Sequence, residues 1–147
     1  MRIIYLPLIS AKEDFICFAS NNQITSEKEL MMTGEALHLK RAYPTLPKLF
    51  GEALQGAKPL FFTQGVEIDR QKFLALQTQE GWTDVPKRAL VQKTIDKLEE
   101  YARNTKKSFA IPLIGHSYGG LTKKEVFEML KPLPDNVILF TLDYDLR

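Results

Sequence analysis

The sequence predicts an α/β protein, a three-layer α/β/α sandwich built on a mixed central sheet. Apolar runs of strand length recur along the chain, and they alternate too little between apolar and polar residues for strands that face water on one side. Patterns typical of amphipathic helices lie between these runs, which indicates a sheet covered on both faces. The length of 147 residues is that of one ordinary domain, so we expect a single domain over residues 1–147.

The predicted strands are the apolar runs bounded by turn residues, and we expect them to be buried central strands. In open α/β sheets, ligands bind beyond the carboxyl ends of the strands. The segments that directly follow these runs are therefore the first candidates for a functional site. The runs cover residues 2–9, 14–19, 58–63, 108–114 and 136–142.

Two short helices are predicted between the second and third strands. The first begins near Thr33 and Gly34 and ends at Pro44, because the residue before a proline is disfavoured in helical geometry. The second is capped by Thr45 and carries Pro47 in its first turn, where the missing amide hydrogen is tolerated. Both helices would connect strands of the same sheet.

Two further helices are predicted in the second half of the chain. The longest is expected from Asp84 or Val85 to Arg103, since its apolar residues share one face at a period of 3.6 residues. The last one follows the strand at 108–114 and begins with a T-x-x-E capping box formed by Thr122 and Glu125.

Composition and charge exclude several classes of function. The 44% hydrophobic and 26% charged residues are typical of a soluble globular protein. A net charge of +2 without a basic stripe argues against direct binding of nucleic acid. The first residues form too short an apolar run for a signal peptide or a membrane span. Cys17 is the sole cysteine, and no paired cysteine or histidine spacing points to a metal. We therefore expect a cytoplasmic protein without a metal, a cofactor or a membrane partner.

The segment 111–121 is the most informative part of the chain, because a short apolar strand runs into a glycine-bracketed turn and then a helix. As G-x-S-x-G, it is a nucleophile elbow that would raise the Ser117 hydroxyl for acyl chemistry. As a glycine-rich loop, it is a phosphate cradle whose backbone amides face an anion. An elbow serine needs a histidine that follows it in the chain, but His38 and His116 both precede Ser117. This order favours the phosphate cradle.

Four segments occur in a recognisable order. A strand ends in Asn21, a segment with methionines and a glycine follows at 31–44, and a tryptophan segment at 76–82 precedes the glycine-rich turn of 111–121. Over about residues 14–142 this order resembles the macrodomains that bind ADP-ribose. It is most similar to the prokaryotic and phage branch related to terminal ADP-ribose glycohydrolases and to the antitoxin macrodomains that remove ADP-ribose from DNA. The resemblance implies a macrodomain-like fold.

The resemblance also implies where ADP-ribose would lie. Asn21 matches the asparagine that contacts the distal ribose. The backbone of Met32, Thr33 and Gly34 matches the family segment M-G-x-G-x-A, which approaches the diphosphate and the distal ribose. The family loop P-R-x-G-x-G-x-G-G-L wraps the diphosphate, and the ligand-binding positions that match it are Gly115, His116, Ser117, Tyr118, Gly119 and Gly120.

Three positions depart from the family pattern. Met32 and Ser117 stand where the family has glycines, and both narrow the backbone freedom that glycine supplies. Gln79 stands where the family pattern F-P-T-K-x-x-W has the lysine that attacks or orients the ribose. Glutamine cannot act as such a nucleophile, so lysine-dependent hydrolysis is not expected. Trp82 belongs to the same pattern, either as a core residue or as a stacking partner for a base.

The residues leave more than one function open. The first is binding of ADP-ribose or a related adenine nucleotide or dinucleotide. The second is weak hydrolysis of an ADP-ribosyl bond or a phosphate ester, by a water held between the diphosphate and the candidate catalytic residues Asn21, His116 and Ser117. The alternatives are a serine hydrolase that uses Ser117 and a degenerate scaffold domain for protein contacts. Nucleic acid enters only as an ADP-ribosylated substrate.

Overall fold

The structure of the protein is a computed structural model that describes residues 1–21, 23–54, 65–79, 81, 84–116 and 120–146. Within these ranges the chain forms a mixed sheet with helices on both faces. The strands are β1 (Arg2–Ile4), β2 (Phe15–Ser20), β3 (Val66–Ile68), β4 (Gln71–Gln77), β5 (Phe109–Ile111) and β6 (Val137–Phe140). The helices are α1 (Ala36–Ala42), α2 (Leu46–Leu54), α3 (Arg88–Arg103) and α4 (Lys123–Leu130), and a short 3-10 helix spans Leu8–Ser10. None of the described helices has the length and apolar character needed to cross a bilayer.

The sheet is parallel except at one edge. The described strands lie in the order β1-β6-β5-β2-β4-β3, and each neighbouring pair is parallel apart from β3 and β4. These two form a hairpin whose turn residues, Asp69 and Arg70, both have positive φ angles of 49° and 71°. Two-residue turns of this kind match the twist of the strands that they join. Because β1, β6, β5, β2 and β4 run parallel to one another, their carboxyl ends all lie at the same edge of the sheet.

Two hydrophobic cores cover the two faces of the sheet. Residues of β2 alternate between them, because Phe15 and Cys17 belong to one core whereas Ile16 and Phe18 belong to the other. Helices α3 and α4 close the first core, and α1 and α2 close the second. Each large apolar side chain buried there contributes about 1.5–3 kcal/mol relative to exposure. This arrangement confirms the predicted α/β/α sandwich with a mixed central sheet.

Three observed strands are shorter than the apolar runs that predicted them. In the run 2–9 only β1 is a strand, and in the run 108–114 only β5 is a strand. Pro7 and Pro112 lie in the remainder of these runs, and proline lacks the amide hydrogen that a sheet ladder needs. The runs 14–19 and 136–142 correspond to β2 and β6, as predicted, although β2 extends to Ser20 and β6 covers only Val137–Phe140.

The hairpin of β3 and β4 was not predicted from the sequence. In β4 the buried apolar residues are only Phe73–Leu76, and polar residues such as Gln71 and Gln77 flank them. This apolar run is too short to stand out, although β4 pairs with β2 from Lys72 to Gln77. The predicted strand at 58–63 lies outside the described residues.

The helix predictions are confirmed, with one later start. Helix α1 ends before Pro44, and α2 follows it directly. Helix α3 begins at Arg88 rather than at Asp84 or Val85, because Pro86 disfavours helical geometry in the residue before it. The predicted capping box of α4 is also present.

Candidate functional site

A cleft opens at the edge of the sheet where the parallel strands end. It has a volume of about 520 Å³ and lies beyond the carboxyl ends of β2, β4 and β5, where open α/β sheets bind their ligands. Its volume is within the range of small-molecule sites. Five of the site residues expected from the sequence line it together, namely Asn21, Thr33, Gly34, Gly115 and His116.

Asn21 follows β2 directly and is 3% exposed. Its Nδ2 donates a hydrogen bond to the carbonyl oxygen of Met31 at 3.1 Å, and its Oδ1 accepts one from the backbone N–H of Gln23 at 2.7 Å. These bonds hold the segment that leads to Thr33 and Gly34 against the end of the sheet. An amide has a second hydrogen and a second lone pair, so Asn21 can bind a ligand hydroxyl while it holds this segment.

The residues Met32, Thr33 and Gly34 divide between the core and the cleft. Met32 is 5% exposed and packs with residues of α1 and α2, so its side chain is not part of the cleft wall. Thr33 and Gly34 do line the cleft. Gly34 has a φ of +61°, a left-handed geometry that glycine adopts without steric strain. Of this predicted segment, the structure therefore brings two residues to the cleft.

The loop after β5 forms the opposite wall of the cleft. Gly115 has a φ of +82°, and a Cβ atom added there would lie 2.6 Å from Cγ2 of Val91 on α3, so glycine is the residue that fits at this point of the loop. Partial desolvation, and then the charge of Lys123, lower the pKa of the His116 imidazole, so we expect a neutral ring near neutral pH. Gly120 is described but does not line the cleft. The predicted residues Ser117, Tyr118 and Gly119 lie outside the described residues.

Gln79 lies in the part of the wall formed by the loop after β4. Its Nε2 donates to the carbonyl oxygen of Gly81 at 2.8 Å, and the N–H of Gly81 donates to Oδ2 of Asp84 at 2.8 Å. The Gln79 side chain thus holds a turn, at the position where the resemblance implies a lysine. Trp82 of the same segment lies outside the described residues.

A second cavity, of about 460 Å³, continues the cleft towards the ends of β1 and β6. The two cavities share Glu35, Leu113 and His116, which form a partition between them. In the wall of the second cavity, Lys123 and Asp143 form an ion pair with an N–O distance of 3.3 Å. The N–H of Asp145, and then Lys123, stabilise the carboxylate of Asp143 by hydrogen bonds and lower its pKa.

Aromatic side chains border the second cavity. Tyr144 lines it and is 67% exposed, and its ring lies against Tyr5, with ring centroids 4.9 Å apart. No motif in the sequence marked these residues. They come together because β1 pairs with β6, which places the segments after these two strands side by side.

The first cleft is lined by neutral hydrogen-bonding groups and two carboxylates. Its described lining contains no lysine or arginine, and its acidic residues are Glu35 and Asp84. Among the described residues, no group of three or more His, Cys, Asp or Glu side chains could hold a metal ion. An anion bound in this cleft would therefore depend on backbone N–H groups of the glycine-containing loops.

Known structures match this fold. No protein-family model matches the chain, and no curated protein matches it. The macrodomain of Thermus aquaticus DarG is 18% identical, with a TM-score of 0.70, and the alignment covers 97% of both chains. The macrodomain of Mycobacterium tuberculosis DarG is 20% identical, with a TM-score of 0.69, over 95% of this chain and 97% of that chain.

A third match is to a larger protein. Thermosipho africanus DarTG in complex with ADP-ribose is 17% identical, with a TM-score of 0.69, and the alignment covers 96% of this chain and 40% of that chain. At such identities the likeness shows the fold alone.

Proposed function

We propose that residues 1–147, which have the macrodomain fold, form one cytoplasmic domain that binds ADP-ribose or a closely related adenine nucleotide. The observation that carries this proposal is that one cleft gathers five of the seven described positions to which the resemblance assigns the ligand. They are Asn21, Thr33, Gly34, Gly115 and His116. A structural neighbour, the DarTG of Thermosipho africanus, is in complex with ADP-ribose, which supports the same ligand class.

The order of the walls suggests how the ligand is oriented. Asn21, at the end of β2, would contact the distal ribose, as the resemblance implies. The diphosphate would lie between Gly34 and Gly115, where two loops approach the cleft with left-handed glycines. The adenosine would then extend into the second cavity, where the exposed ring of Tyr144 offers an aromatic face. The ligand would thus run along the sheet edge from β2 towards β6.

The charges of the cleft favour binding through the backbone. Among the described residues that line the two cavities, Lys123 is the one lysine or arginine; it lines the second cavity and is paired with Asp143 at 3.3 Å. A diphosphate near Gly115 would therefore be held by the N–H groups of the glycine-rich loop. Binding of this kind tolerates side-chain changes such as Ser117 in place of a family glycine.

For hydrolysis, the described residues supply few groups that could react. The amide of Gln79 cannot replace a lysine nucleophile, and its Nε2 already donates to Gly81. His116 is the described cleft residue with a basic side chain, and a neutral imidazole can accept a proton from a water. We therefore propose that binding is the main function and that any turnover is slow.

The test is calorimetric titration with ADP-ribose, AMP, NAD and cyclic dinucleotides. We expect ADP-ribose to bind with the highest affinity. Thr33→Glu should weaken that binding at least about tenfold, because it adds a negative charge to the cleft wall near the diphosphate. Leu37→Glu is the matched control: it adds the same charge nearby on α1, at an exposed residue that lines neither cavity, and should change the affinity less than about twofold.

Three results would contradict the proposal. Absence of binding to every nucleotide would favour a scaffold role. Equal losses of affinity in Thr33→Glu and Leu37→Glu would place the ligand elsewhere. Burst hydrolysis of an activated ester that is lost in Ser117→Ala would favour the serine hydrolase.

A further inference from the structure

Glu35 occupies a special place in the site, because it lies in the partition between the two cavities. Of the three residues that both cavities share, Leu113 is apolar and His116 carries a ring that is neutral near neutral pH. Glu35 precedes the first residue of α1, and the nearby backbone of Leu8 favours the charged form of its carboxyl group. Because Glu35 lines both cavities, a ligand that spans them must pass it.

Among the described residues, no lysine or arginine forms an ion pair with the carboxylate of Glu35, and His38 is the cationic group that acts on it. None of the described ion pairs includes it. The side chain is open to solvent from the cavities, but the surrounding protein partly desolvates it and raises its pKa. The charged or titratable groups around it are His38 on its own helix, His116 in the partition, Asp84 in the first cavity, and Lys123, Asp143 and Asp145 in the second.

An ionised carboxylate at this place favours hydrogen-bond donors on the ligand and repels negatively charged groups. In the orientation proposed above, the adenosine ribose crosses the partition, because the distal ribose is at Asn21 and the diphosphate is beside Gly115. The ribose hydroxyls are hydrogen-bond donors that a carboxylate can accept. A phosphate on the same ribose would place two negative charges against Glu35. In dinucleotide-binding enzymes, an acidic residue likewise accepts a hydrogen bond from the 2′-hydroxyl of the ribose.

We propose that Glu35 determines specificity by accepting a hydrogen bond from the adenosine ribose of the ligand and by rejecting ligands that carry a 2′-phosphate on that ribose. This inference rests on the proposed function and deepens it, since it names the substrate class as nucleotides with an unmodified ribose. It concerns a position that the family pattern M-G-x-G-x-A leaves free, and it applies to this chain because this chain has a glutamate there.

The experiment compares the affinities of ADP-ribose and ADP-ribose 2′-phosphate by calorimetry at about pH 8, where the phosphate monoester is doubly charged. The wild type should bind ADP-ribose at least about tenfold more tightly than the 2′-phosphate. Glu35→Gln should reduce this ratio to within about threefold, and Glu35→Lys should invert the preference. Glu52→Gln and Glu52→Lys are the matched controls, because Glu52 is exposed on α2 and lines neither cavity.

The outcomes separate this inference from the proposed function. If the wild type binds ADP-ribose but does not discriminate, or if Glu35→Gln keeps the full ratio, Glu35 is not a specificity residue, while ADP-ribose binding stands. If the wild type binds neither compound, both proposals are wrong. A measurement that needs no variant also applies: raising the salt concentration from about 0.05 M to about 0.5 M should reduce the wild-type ratio by screening the repulsion, and an unchanged ratio would count against a charge effect.

Discussion

Replacing Gly115 by alanine should destabilise the protein by about 2–4 kcal/mol, through two separate contributions. At a φ of +82°, a residue with a Cβ atom costs about 1 kcal/mol or more. The new Cβ would also lie 2.6 Å from Cγ2 and 3.1 Å from Cγ1 of Val91. Val91 is fully buried on α3 and, as a β-branched residue in a helix, has essentially one rotamer. Relief of this overlap should cost about 1–3 kcal/mol more.

Gly34 provides a matched control for the packing contribution. Its φ of +61° is similarly left-handed, but no atom of the described residues lies within 4 Å of an added Cβ. Gly34→Ala should therefore cost only the backbone contribution, about 1 kcal/mol. The free energy of unfolding can be measured for both variants by urea denaturation followed by far-UV circular dichroism, with the midpoint and the slope fitted separately.

A double-mutant cycle with Val91→Ala tests the cause directly. If the overlap with Val91 is responsible, the two substitutions together should cost about 1–2 kcal/mol less than the sum of their separate effects. Equal destabilisation by Gly115→Ala and Gly34→Ala, or strict additivity of Gly115→Ala with Val91→Ala, would refute the assignment of the larger cost to this contact.

Two further predictions concern pH and catalysis. The N–H of Ser108 donates to Oδ2 of Asp14 at 2.8 Å and lowers the pKa of that carboxyl, with the Ser108 hydroxyl adding to the effect. A lowered folded-state pKa stabilises the fold above the unfolded-state pKa, and this contribution is lost as the pH falls through the folded-state pKa. Asp14→Asn should therefore lower the unfolding free energy by about 0.5–1 kcal/mol near neutral pH. Urea titrations at about pH 3 should show a smaller difference in unfolding free energy between the wild type and the variant. An equal difference at both pH values would contradict this prediction. Gln79→Lys should speed single-turnover release of ADP-ribose from an ADP-ribosylated substrate, because it restores an amine at the matching position. Release by the wild type within seconds to minutes would show that another group is catalytic.

The sequence predicted the parts of the fold in which local patterns and tertiary structure agree. The runs that became β2 and β6 are continuous apolar segments, and most of their residues are buried. The T-x-x-E signal of α4 depends only on residues within one helical turn. The strand β4 was missed because polar residues occupy its ends. These ends are in a strand because they pair with β2, and their own sequence pattern does not indicate it.

The candidate site could be predicted where a segment is a glycine-rich turn or matches the order of the macrodomain segments. Gly115 was expected from the glycine-rich turn, Asn21 and Gly34 were expected from the resemblance, and all three line the cleft. The second cavity was missed because it arises from the pairing of β1 with β6, two strands from opposite ends of the chain. Glu35 was missed because no sequence pattern shows that the residue before α1 lines both cavities.

The two hydrogen bonds of Asn21 limit how this site can change during evolution. A residue that contacts only a ligand can be exchanged freely when selection favours a new ligand. Asn21 also joins the carbonyl of Met31 to the N–H of Gln23, so an exchange there would leave partly buried backbone groups unpaired, at about 1–3 kcal/mol each. Since domains are only marginally stable, new ligand preferences should arise at exposed cleft positions such as Thr33, while Asn21 is retained even in descendants that have abandoned the original ligand.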